Sequence, residues 1–262
     1  MTSVVITGST RGIGLCMALE FLKHGCNVTV SGRASELSCD AAGRLGPYAG
    51  RFIYVPCDVQ KMEDMKNLWN VSAEAWRNID VWINNAGRNV PQAAVYDTAE
   101  AYVRGAIDTN ITGMILGSQV AAKGMLAQKH GAIYSMEGLG SNNMIQPKTI
   151  LYGTTKCALT YFMKGLALEL EGTGVTAGRL SPGMMLTDFI TKAADGGVSS
   201  IETDERFRRI FNILADRPET VASFFIPRIL ANKKNGVRIA WMTNAKAAGR
   251  FMSAPFTHRK LV

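Results

Sequence analysis

Val4-Val5-Ile6-Thr7-Gly8-Ser9-Thr10-Arg11-Gly12-Ile13-Gly14 runs from an apolar stretch through a glycine-rich turn into a helical period. Gly8 permits the sharp turn after the strand, while Gly12 and Gly14 let the backbone and the following helix approach a pyrophosphate. Ser9, Thr10, Arg11 and Ile13 complete the loop around that anion, which would meet unpaired N–H groups and the positive end of the helix dipole. Any one of these glycines could mark an ordinary turn. Three at this spacing, directly after an apolar strand, point to phosphate binding.

Outward from this loop, β-rich apolar segments alternate with helix-length amphipathic ones. Strands are expected near residues 3–7, 27–31, 52–57, 80–83, 132–135, 176–180 and 237–241, and helices near 12–24, 62–77, 99–128, 149–171 and 218–231. This alternation predicts an α/β fold, a single doubly wound parallel sheet of Rossmann type with helices on both faces. One domain spans residues 1–262, with no repeat or linker dividing it. Residues 193–210, with Gly196-Gly197 and Ser199-Ser200, read as a mobile stretch, and residues 243–262 as a basic tail with a short helix and an irregular end.

The chain has 262 residues, 47% hydrophobic and 19% charged, enough for one large core. Cys16, Cys26, Cys39, Cys57 and Cys157 are scattered and odd in number, which suits buried free thiols in a reducing compartment. The first strand begins almost at Met1, and no apolar run is long enough for a bilayer. A cytoplasmic, bacterial location is therefore the expectation, or an organellar one if a leader has been trimmed.

The net charge of +8 is uneven, since all surplus charge follows Glu219, on Arg228, Lys233, Lys234, Arg238, Lys246, Arg250, Arg259 and Lys260. One reading is a solvated end. The other is an electrostatic footprint for an anionic substrate or for peripheral contact with a membrane surface. Nucleic acid is not expected, because no aromatic interleaving or binding motif accompanies the charge.

Further along, Asn84-Asn85-Ala86-Gly87, Asn110, Tyr152-Gly153-Thr154-Thr155-Lys156 and Pro182-Gly183 follow the glycine loop in order. Together these motifs resemble the short-chain dehydrogenase/reductase family over roughly the first 190 residues. The resemblance implies a nicotinamide-dependent oxidoreductase in which Tyr152 and Lys156 share one helix face at i and i+4. A phenol with a pKa near 10 needs about 4 kcal/mol of phenolate stabilisation to reach about 7, which an ammonium and an oxidised nicotinamide could supply. Lys156 should also hold the nicotinamide ribose. The resemblance gives Asn110 a relay water, Asp58 (with Val59 beside it) the adenine, and Asn85, Ala86 and Gly87 the adenine-ribose side. Pro182, Gly183 and Thr187 should cradle the nicotinamide, and residues 190–215 should cover the substrate.

The cofactor is expected to be NADP(H). An NAD enzyme wants an acid at the end of the second strand, where this chain reads Ser31-Gly32-Arg33; Arg33 and Arg11 suit a 2′-phosphate. No metal is expected. The position of the usual catalytic serine, which in the short-chain dehydrogenase/reductase family polarises the substrate carbonyl, holds Leu139; Ser141 is the candidate to do that work if the loop bulges, with Ser135 on the strand just before. The words Met136–Ser141, Leu180-Ser181-Pro182-Gly183-Met184 and Pro218-Glu219-Thr220-Val221-Ala222 are similar to those of chlorophyll b reductases of the non-yellow-colouring type. That resemblance implies NADPH-dependent reduction of a bulky hydrophobic carbonyl, the 7-formyl group of chlorophyll(ide) b, and the wider family implies a homo-oligomer, dimer or tetramer. A generic ketone or ketoacyl reductase, or a non-catalytic NADP-sensing protein, remains the alternative.

Overall fold

The computed structural model describes residues 1–192, 194, 196–197, 200–257 and 259–262. Its strands are β1 (Ser3–Ile6), β2 (Asn27–Gly32), β3 (Phe52–Pro56), β4 (Val81–Asn84), β5 (Gly131–Met136), β6 (Val175–Ser181) and β7 (Arg238–Ala240). They form one 7-stranded sheet in the order β3-β2-β1-β4-β5-β6-β7, and every pairing is parallel. The helices are α1 (Gly12–Lys23), α2 (Cys39–Leu45), α3 (Met62–Trp76), α4 (Glu100–Ile107), α5 (Gly113–Gln128), α6 (Ile150–Glu169), α7 (Asp188–Thr191), α8 (Ser200–Thr203), α9 (Glu205–Leu214), α10 (Pro218–Ala231) and α11 (Asn244–Ser253). Among the described residues no helix is long and apolar enough to cross a membrane.

The central strands are apolar on both faces because both faces are covered. Val4 and Ile6 point to one side, where α1 and α10 bring Phe21, Leu22, Val221 and Phe225. Val5 and Trp82 point to the other, where α3, α5 and α6 supply Leu68, Met114 and Met163. The direction of strand order reverses between β1 and β4, so their C-terminal ends frame the crevice that doubly wound sheets use for ligands.

Two expectations are corrected, and a third stretch is helical in part. The helix expected over residues 99–128 is α4 and α5 joined by a π-helical segment, Asp108–Thr112. The stretch over 193–210 contains α8 and α9, although residues 193, 195, 198 and 199 lie outside those described. Asp204 caps α9 by accepting the Phe207 N–H, and Phe207 stacks on Phe211 with ring centroids 6.2 Å apart. Finally, Cys39 and Cys157 are exposed, whereas Cys16, Cys26 and Cys57 are buried free thiols.

Candidate active site

The glycine loop is built against the end of β4. Gly8 has φ +60°, and a Cβ there would lie 2.8 Å from the Ala86 Cα; at Gly14 a Cβ would lie 2.5 Å from the Asn85 Nδ2. Asn85 donates both amide hydrogens to the carbonyls of Thr7 and Gly8, at 3.0 and 2.9 Å. It braces the loop, which is a different task from the adenine-ribose contact expected of it. Ser9 is equally occupied: its hydroxyl donates to the Ile6 carbonyl at 2.6 Å and accepts the Ser31 N–H at 3.0 Å. Thr10 packs on Gly32, where a Cβ would come within 2.7 Å of its methyl.

The first turn of α1 carries no acid, and its N-cap, Arg11, makes no side-chain cap. Its leading N–H groups are thus the unsatisfied donors that an anion satisfies. Space is present too, since a Cβ on Gly12 would meet only the Thr187 methyl, at 3.9 Å. Ile13 leans into the core beside the loop. Arg11 and Arg33 are exposed, and the turn at residues 32–34 is pinned by Tyr54, which donates to the Gly32 carbonyl at 3.2 Å. A pyrophosphate fits the donors at the start of α1.

Asp58 sits at the lip of the crevice and caps its own turn, its Oδ1 accepting the Gln60 N–H at 3.2 Å. Val59 packs against Gly113 of α5. Gly87 lies by Asn110, 3.6 Å separating a Cβ there from the Asn110 Oδ1. Asn110, in the π-helical segment, is a clamp. Its Oδ1 accepts the Arg88 N–H at 2.7 Å, and its amide hydrogens go to the Arg88 carbonyl at 3.0 Å and the Thr155 hydroxyl at 3.1 Å. The side chain expected to hold a relay water is fully engaged in tying the segment after β4 to α6.

Tyr152 and Lys156 meet at the end of β5. A Cβ on Gly138 would come within 2.6 Å of the Tyr152 hydroxyl and 3.2 Å of the Lys156 Cε, so only glycine leaves the phenol its place. The Lys156 ammonium lies 5.8 Å from the Tyr152 ring centroid and donates to the Met136 carbonyl at 2.9 Å. Burial pushes the Tyr152 phenol well above its usual value. That is the opposite of the lowering expected, and its cause is the desolvation of the phenolate. Burial also pushes Lys156 down to about 8, against an opposing pull from Glu137. Phe189, on α7, stacks on Tyr152 with centroids 5.6 Å apart, and its carbonyl is held by the Asn89 amide at 2.7 Å.

Ser141 is not placed to polarise a substrate. Its hydroxyl proton goes to the Lys156 carbonyl at 3.2 Å, and its oxygen accepts the Gly138 N–H at 3.1 Å. It staples the loop after β5 to α6. Ser135 is fully buried beside Met163 and Asn84, below the site. Leu139, partly exposed, stands where the usual serine would be.

Sequence reasoning missed Glu137. It is 3% exposed and bridges Arg179 at 3.3 Å and Arg238 at 2.8 Å. Only its place, an acid at the end of an apolar strand next to Gly138, could have signalled it. The tail is likewise tied into the fold. Arg250 and Arg259 both reach the Asp216 carboxylate at 2.8 Å, and Trp241 donates to it at 2.6 Å. Arg238 and Arg250 thus pair with carboxylates of the protein itself, Glu137 and Asp216. Pro182 and Gly183 follow β6 directly, and Gly183 (φ +72°) backs onto Met242.

Residues 2–196 match the short chain dehydrogenase family. The chain is 33% identical over 259 residues to the probable chlorophyll(ide) b reductase NYC1, chloroplastic, of Arabidopsis thaliana, covering 92% of this chain and 50% of that protein. It thus spans half the length of that relative. It is also 33% identical over 264 residues to the chlorophyll(ide) b reductase NOL, chloroplastic, of the same plant, covering 96% of this chain and 73% of that one. Among solved structures, ElxO with NADP bound superposes with a TM-score of 0.79 at 26% identity, over 91% of this chain and 96% of that one. A glycine loop built on an uncapped helix, a Tyr–Lys pair at the end of β5 and this breadth of likeness agree: the chain belongs to the short chain dehydrogenase family of oxidoreductases, which bind a nicotinamide cofactor.

Proposed function

We propose that the protein is an NADPH-dependent reductase of a bulky hydrophobic carbonyl, with the formyl group of chlorophyll(ide) b as its leading substrate. The observation that carries the reading is the Tyr152 hydroxyl seated over Gly138 beside Lys156, at the mouth of the β1/β4 crevice. A nicotinamide held by the glycine loop and Lys156 would supply the hydride for the carbonyl carbon. Tyr152 gives its proton to the carbonyl oxygen, and burial keeps the phenol in the protonated form this step needs. With a value of about 8, Lys156 is mostly charged at neutral pH, as suits a group that steadies the phenolate left behind.

Arg11 and Arg33, both exposed at the loop and at the end of β2, support a 2′-phosphate, and the carboxylate nearest in sequence, Glu36, is exposed to solvent. Phe189 against Tyr152 supports a substrate with a flat apolar surface. The likeness to NYC1 and NOL supports the formyl group. Tyr161 and Leu168, 83% and 73% exposed on α6, support the homo-oligomer.

The test is cofactor oxidation by purified protein offered NADPH or NADH with chlorophyllide b, bulky aldehydes and a ketoacyl thioester. Expected are turnover of chlorophyllide b, preference for NADPH, and at least tenfold weaker NADPH binding after Arg11→Ala or Arg33→Ala with NADH unaffected. Turnover of the ketoacyl substrate alone would make the protein a generic reductase. Tight cofactor binding with no turnover of any carbonyl would make it a sensor.

A further inference from the structure

Glu137 lies one residue past β5, with its side chain 1% exposed. A carboxylate so deep costs several kcal/mol unless paired. Here each oxygen has a partner: Oε1 meets Arg179 Nη1 at 3.3 Å, and Oε2 meets Arg238 Nε at 2.8 Å. Arg238 is itself fixed, its Nη2 donating to the Ser181 hydroxyl at 2.7 Å. The backbone is fixed as well, the Glu137 N–H donating to the Leu180 carbonyl at 2.7 Å. Neighbouring β6 and β7 therefore hold the carboxylate from the side away from the cofactor crevice.

The catalytic lysine hangs from the residue before it, since Lys156 Nζ donates to the Met136 carbonyl. Ammonium and carboxylate are thus tethered to consecutive residues of one strand end. The charged and titratable groups around Lys156 are the Tyr152 phenol from its own helix, Glu137 from β5, and beyond that carboxylate Arg179 from β6 and Arg238 from β7. We propose that Glu137 is a positioning residue for Lys156, a carboxylate clamped by Arg179 and Arg238 beside the strand end that tethers the catalytic ammonium, so that β6 and β7 support the lysine's part in the reaction. This rests on Lys156 serving the reduction proposed above.

The structure explains why the carboxylate is needed. Burial alone drives the lysine toward its neutral form, and Glu137 opposes that. Without it, the burial of Lys156 would go unopposed, and the lysine would lose its proton at lower pH. Relieving one guanidinium has the opposite effect, because the carboxylate is then less neutralised.

Two variants separate this from a plain staple of β5, β6 and β7. Lys156 is titrated in the intact protein by 13C NMR of ε-labelled lysine, its signal assigned by its loss in Lys156→Arg. Glu137→Gln should move the titration down by about one pH unit, a tenfold loss of proton affinity. Arg238→Gln should move it up, and the alkaline limb of kcat/KM should follow in both. If both variants fold and neither moves Lys156, or both move it the same way, the proposal is overturned. If Glu137→Gln fails to fold, Arg238→Gln alone decides by the sign of its shift. Failure of the reductase reading would show separately, as absent turnover with the titration shifts intact.

Discussion

At the scale of the residue, position in sequence announced a chemistry only where that chemistry is local. Tyr152 and Lys156 were legible because four residues on a helix make neighbours, and Gly8 and Gly14 because a turn leaves no room for a side chain. Ser141 was not. Its use depends on the Lys156 carbonyl fifteen residues away, which takes its proton. Glu137 was invisible for the same reason, its partners lying 42 and 101 residues downstream. Asn110 was found, but its amide turned out to be occupied. These assignments can be separated by measurement. Ser141→Ala should lower stability by about 1–2 kcal/mol, since it strands the Gly138 N–H and removes one donor from the Lys156 carbonyl, while kcat falls less than tenfold. Thr160, which also donates to the Lys156 carbonyl at 3.1 Å, limits the loss. A hundredfold drop in kcat with unchanged melting would restore Ser141 as the oxyanion donor.

At the scale of the element, the βα alternation was readable throughout because strands covered on both faces are continuously apolar. What escaped was interruption. The sequence of α4 and α5 keeps a helical period across Asp108–Thr112, so nothing in it marks the π-helical turn that carries Asn110. Such single-turn bulges recur at functional sites. α9 escaped although Phe207, Ile210, Phe211 and Leu214 recur at helical spacing, because Arg206, Arg208 and Arg209 and the glycine- and serine-rich residues before it give the segment the composition of a loop. Element packing also sorts the glycines. Gly14→Ala in α1 forces a Cβ to within 2.6 Å of the Gly8 carbonyl oxygen, a backbone atom that cannot swing aside. Calorimetry and NADPH titration should show a loss of more than about 2 kcal/mol in stability and at least tenfold weaker cofactor binding. Gly43→Ala in α2, where a Cβ meets nothing within 4 Å, should raise stability by about 0.5–1 kcal/mol instead. Equal outcomes for the two would contradict the close packing of the loop on Asn85.

At the scale of the whole molecule, the basic end is part of the fold. Asp216 gathers Arg250, Arg259 and the Trp241 indole, while Leu261 and Val262 donate backbone N–H groups to the Asn212 Oδ1 at 2.7 and 3.1 Å. Burial raises the Asp216 carboxyl, but the Arg250 and Trp241 hydrogen bonds outweigh it and leave the value below the usual range. A carboxyl depressed in the folded state contributes stability that is complete above its unfolded value, about 3.9, and fades as pH falls toward the folded one. Asp216→Asn should therefore cost at least about 2 kcal/mol at neutral pH, with the gap to wild type closing below about pH 4 in thermal melts. A gap that persists at low pH would mean packing, not charge, anchors the tail.

The most direct measurement of the proposed reaction is isotope transfer from deuterated NADPH to chlorophyllide b, by wild type and by Tyr152→Phe. The account predicts a hydroxymethyl product carrying one deuterium from the wild type, and a rate at least a hundredfold lower from the variant with NADPH affinity within a few-fold. Product formed by Tyr152→Phe at even a tenth of the wild-type rate would contradict it.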